Sequence, residues 1–96
     1  MIKHVVFFKF KAEVGRDARD TVLAELQDLP GQIEAIRSFE VGLDVLHSPR
    51  SWDAVLIGTY NSLQDLETYM QHPAHRPVAE QLRNLCEAIA TVDYET

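Results

Sequence analysis

Residues 2 to 11, IKHVVFFKFK, alternate so regularly that they leave the chain few choices. Period two marks a β-strand, whose successive side chains point to opposite faces of its sheet. Ile2, His4, Val6, Phe8 and Phe10 share one face, and Lys3, Val5, Phe7, Lys9 and Lys11 share the other. Both faces carry apolar residues, so both sides of the sheet expect cover. With 96 residues the chain is long enough for one domain, spanning 1–96, and too short for two. A domain this small has a thin stability margin, and oligomerisation would widen it.

The rest of the chain alternates between the two regular periods. Gly15 breaks the strand, and Asp17 or a neighbour opens a helix carrying Ala18, Val22, Leu23, Leu26 and Leu29, which Pro30 and Gly31 end. Period two returns from Ile36 to Leu46, HSPRS (47–51) forms the turn of a hairpin, and WDAVLIGTY (52–60) is its second arm. Ser62, with Asp65 three residues on, opens a helix bearing Leu63, Leu66, Tyr69 and Met70. HPAHRP interrupts that helix, which resumes near Pro77 and runs through Val78, Leu82 and Leu85; proline suits a first helical position because its missing N–H would be unpaired there. AIATVDYE (88–95) closes the chain as a last strand.

The order βαββαβ predicts an α+β, ferredoxin-like domain with a four-stranded antiparallel sheet and its helices on one face. The helices cover one side of the first strand. For the other, the expected cover is the sheet of an identical subunit, giving a homodimeric barrel.

Composition and charge narrow the function. A hydrophobic content of 46% and a charged content of 25% are those of an ordinary globular protein. The net charge is −6 and the basic residues are scattered, which argues against nucleic acid or an anionic membrane surface as partner. The apolar run near the start is too short to span a bilayer and lacks a signal-peptide cleavage site. The single cysteine, Cys86, allows no intramolecular disulfide and suits a cytoplasmic location.

The pattern carried by KHVVFFKFK, FEVGLDV, the strand from Asp53 to Tyr60, YMQHPAH and VDYE, in that order over nearly the whole chain, resembles the stress-responsive A/B barrel domain family. The resemblance implies a homodimeric α+β barrel. It also implies candidate site residues, because one plant member of the family closes a linear polyketide by intramolecular aldol condensation without metal or cofactor. Its essential histidine and tyrosine match His75 and Tyr69, and its early strand histidine matches His4. A further pocket histidine of that enzyme falls near Ala54 here, a departure that weighs against the same substrate.

These residues make chemical sense together. A neutral imidazole can remove a proton next to a carbonyl, and a phenol can hydrogen-bond the enolate oxygen. Each also has a plainer reading: HPAH as a helix-breaking connector whose ring nitrogens bond loose backbone groups, Tyr69 as core, and His4 as a buried hydrogen-bonded histidine. His72, His75 and His4 form the one histidine set worth weighing for a metal, but Pro73 disrupts the helical spacing and no carboxylate accompanies them, so neither metal nor cofactor is expected. Cys86 reads as a small buried residue, His47 as solvated and Trp52 as a cap on the hairpin. Two functions follow. One is a stress-associated module that binds a small apolar, carbonyl-containing ligand without turnover. The other is a cofactor-independent cyclase-like or isomerase-like enzyme, which needs an enclosed cavity of roughly 300 Å³ or more onto which His75, Tyr69 and His4 open.

Overall fold

The computed structural model describes residues 1–96. Strand β1 (Ile2–Phe10) is followed by helix α1 (Arg16–Gln27), a short 3₁₀ turn (Leu29–Gly31), strands β2 (Ser38–Leu43) and β3 (Ala54–Tyr60), helices α2 (Leu63–Gln71) and α3 (His75–Leu85), and strand β4 (Cys86–Glu95). The sheet order is β2-β3-β1-β4, with every neighbouring pair antiparallel. This is the expected ferredoxin-like arrangement: each helical crossover returns the chain parallel to its starting strand, leaving one strand's width between them.

The burial pattern of β1 follows its alternation. Ile2, His4, Val6, Phe8 and Phe10 are buried, and they join Val22, Leu23 and Leu26 of α1, Leu66 and Tyr69 of α2, and Val78 and Leu82 of α3 in one core. All three helices lie on that side of the sheet. On the opposite side Phe7, Val92 and Tyr94 remain 39%, 58% and 46% exposed, beside the half-buried Val5, Val55 and Ile57. An apolar sheet face is therefore left bare, as the two-sided alternation anticipates.

Several boundaries differ from the sequence expectation. The hairpin arms stop at Leu43 and resume at Ala54, so the connection is longer than HSPRS alone. It turns at His47, whose φ of 55° is left-handed and whose N–H donates to Asp44 Oδ2 at 2.7 Å. Trp52 does not cap the hairpin: it lies beside Phe7, ring centroids 6.3 Å apart, with Lys9 over its ring. Helix α3 begins at His75, so Pro77 is its third residue and not its first. The first-turn N–H groups of a helix have no intrahelical acceptor, and proline is tolerable at its third position as well as at its first.

Candidate active site

Helix α2 forms because Ser62 caps it. The serine backbone is extended, and its Oγ accepts the N–H of Asp65 at 3.1 Å. The helix then turns Leu66 and Tyr69 onto the sheet. It stops where Pro73 forces the preceding residue out of helical geometry: His72 has φ −63° and ψ 140°. The imidazole of His72 closes the break, its Nδ1 accepting the N–H of Ala74 at 3.0 Å. The N–H groups of His75 and Arg76 donate back to the carbonyl of His72 at 3.0 and 3.2 Å and start α3.

His75 is held by the end of α2 as well as by its own helix. Its Nδ1 lies 2.8 Å from the carbonyl oxygen of Met70, one of the last-turn carbonyls that α2 cannot satisfy itself. A carbonyl only accepts, so Nδ1 carries the hydrogen, and the neutral ring keeps its lone pair on Nε2. Burial lowers the pKa of His75 below its ordinary 6.5, with smaller contributions from His4, Arg83 and His72; the bond to Met70 opposes them. The imidazole is therefore the neutral form at physiological pH.

Tyr69 packs against this ring at 4.5 Å between centroids, and His4 approaches it edge-on from β1 at 6.1 Å. Tyr69 is fully buried and its hydroxyl has no hydrogen-bond partner. Burial raises its phenol well above the ordinary value of 10.0. The group stays a protonated donor. His4 pairs with Asp93 through Nδ1, a charge-assisted contact between neighbouring strands β1 and β4, in which the two residues stand directly opposite.

The three residues line a cavity of about 280 Å³ between the sheet and helices α2 and α3, partly open to solvent where an enclosed one was expected, and walled mainly by apolar side chains such as Val6, Leu56 and Leu82. It is slightly smaller than the volume expected for a small-molecule site of this kind. Two larger crevices lack that chemistry. One, about 440 Å³, lies by the hairpin, where Arg19 and Asp53 are 3.8 Å apart. The other, about 400 Å³, is on the bare sheet face near Trp52.

His72 is turned into the connector, and no three His, Cys, Asp or Glu side chains are grouped to hold a metal ion. Cys86 is buried and its thiol is pushed up by burial, the opposite of what a thiolate nucleophile requires. No helix is long and apolar enough to cross a membrane. Sequence reasoning missed two residues. Asp93 is found through strand register, which pairs it with His4. Tyr60, fully buried beside Tyr69 at 5.1 Å between ring centroids, reads in sequence as ordinary strand core. The available signal for it was Gly58, two residues before it on the same face.

A four-stranded antiparallel sheet, three helices on one side and a histidine- and tyrosine-lined cavity between them define a ferredoxin-like α+β protein. The chain belongs to the stress-responsive A/B barrel domain family, whose model matches residues 2–96. It is 35% identical over 79 residues to an uncharacterised protein of Streptomyces coelicolor, covering 79% of this chain and 80% of that one. It is 24% identical over 95 residues to the olivetolic acid cyclase of Cannabis sativa, covering 97% and 94%. Among solved structures it resembles a dimeric ferredoxin-like protein of Bacteroides fragilis, with a TM-score of 0.83 and 32% identity over 99% of this chain and 95% of that one.

Proposed function

We propose that this protein is a homodimer in which each subunit binds a small, largely apolar compound through a carbonyl oxygen, with His75, Tyr69 and His4 as the site. The observation that carries this reading is the unpaired, fully buried hydroxyl of Tyr69, a residue that lines a largely apolar cavity. A donor in that position costs about 1–3 kcal/mol unless something accepts its hydrogen. A carbonyl oxygen does so. The homodimer is supported by the bare apolar face and by the dimeric state of the Bacteroides fragilis relative. A panel of apolar carbonyl compounds, titrated calorimetrically against native protein and Tyr69→Phe, tests the binding. Saturable binding weakened by the substitution is expected; equal affinity for both proteins overturns it.

A second reading, catalysis, is favoured by the tautomer of His75. Its Nε2 lone pair can take a proton from carbon next to the bound carbonyl, the C–H electrons passing to oxygen as an enolate that Tyr69 stabilises by its hydrogen bond. In a compound with a second carbonyl, the enolate carbon bonds that carbonyl carbon and the resulting alkoxide recovers the proton from His75. The balance needs no cofactor, and it is the class of step that the name of the cyclase relative denotes. Turnover of a linear β-polyketo acid by native protein and by His75→Ala decides between binding and catalysis. A fall of 10²-fold or more is expected for the loss of a general base; equal rates exclude that role.

A further inference from the structure

Tyr60 does not line the cavity, yet its hydroxyl, like that of Tyr69, is fully buried and has no hydrogen-bond partner. Two orphaned phenols in contact are unusual, since most buried polar side chains find a partner. The chain makes room for this arrangement. At Gly58, which precedes Tyr60 by two residues on the same strand face, an added Cβ would lie 2.9 Å from the Tyr60 oxygen. Any other residue there would push the hydroxyl aside.

The two rings are in contact, their centroids 5.1 Å apart, and burial raises each phenol well above 10.0, so both hydroxyls stay protonated. Their oxygens fall short of a formed hydrogen bond. Tyr69 lines the cavity and Tyr60 stands behind it.

We propose that Tyr60 is a positioning residue for the ligand oxygen: when a bound carbonyl or enolate oxygen accepts the Tyr69 hydrogen, the Tyr60 hydroxyl behind it donates to the Tyr69 oxygen, and the two phenols act in series. This rests on the reading of the cavity as a carbonyl site and adds the class of ligand it prefers. Donors in series polarise one another, and their effect grows with the negative charge on the acceptor. The site therefore favours oxygen that is anionic, or becoming so, over a neutral carbonyl of the same shape.

Substituted phenols are the probe, because a phenolate oxygen on a flat apolar ring mimics an enolate. Binding of 4-nitrophenol, whose absorption reports its ionisation, is measured for the native protein, Tyr60→Phe, Tyr69→Phe and the double variant. Tyr60→Phe is expected to weaken binding roughly 3- to 10-fold, the effect of one hydrogen bond, and to lower the ionised fraction of bound probe, while the thermal midpoint does not fall. The double variant is expected to bind like Tyr69→Phe alone, since Tyr60 acts only through Tyr69. An unchanged ionised fraction in Tyr60→Phe, or losses that add in the double variant, overturns the inference for Tyr60. If Tyr69→Phe is also silent, or the native protein binds no phenol, the carbonyl site itself falls with it.

Discussion

At the scale of single residues, the structure places two histidines three positions apart in different surroundings. His72 satisfies the N–H of Ala74 and closes the connector, whereas His75 gives one nitrogen to Met70 and keeps the other for the cavity. The plain reading of His75 accounts for Nδ1, and the proposed function calls only on Nε2, so one ring can serve both. The depressed pKa of His75 has a consequence for stability. Unfolding restores a pKa near 6.5, so below that pH the unfolded chain takes up a proton that the folded one resists. Stability from this group is complete above pH 6.5 and is lost as pH falls toward the folded pKa. Denaturant unfolding between pH 7.5 and 5.5 is expected to show a smaller pH-dependent loss for His75→Gln than for the native protein; identical slopes would contradict the depressed value. Tyr69 was readable from its helical spacing and from the motif. Tyr60 and Asp93 were not, because the first depends on a glycine-sized gap across the strand face and the second on which residues stand opposite in the sheet.

At the scale of elements, the site is an interruption between two helices. Ser62 begins α2, Pro73 forces His72 out of it, and His72 restarts the chain as α3 two residues before Pro77. Each signal is local, and each was visible in the sequence as a cap or a breaker. The start of α3 at His75 was not, since proline restricts its own φ and the residue before it but does not name the helical position it will occupy. Removing the cap tests how firmly the site is held. Ser62→Ala is expected to lower stability by about 1 kcal/mol, measured by urea unfolding with an unchanged m-value. A loss below a few tenths would mean that packing of Leu66 and Tyr69 alone holds the helix.

At the scale of the whole molecule, the proposed homodimer follows from a sheet that has helices on one side and Phe7, Val92 and Tyr94 on the other. Val92→Asp places a charge on the bare face, on the edge strand β4, and it is expected to shift the sedimentation mass from twice 10.9 kDa to the 10.9 kDa of one chain. The native protein should also unfold at a temperature that rises with concentration. A monomer mass for the native protein at micromolar concentration would remove the dimer. The amino-acid sequence by itself determined the element order, the two-sided character of β1 and the helix break at HPAH, because periodicity, caps and proline act over a few residues and need no distant partner. Only the tertiary structure decided that His4 meets Asp93, that Tyr60 backs Tyr69, and that Tyr69, Met70 and His75 line a cavity of about 280 Å³. Those contacts join residues far apart in the chain, and strand register and helix docking, which bring them together, are set by how the whole core packs.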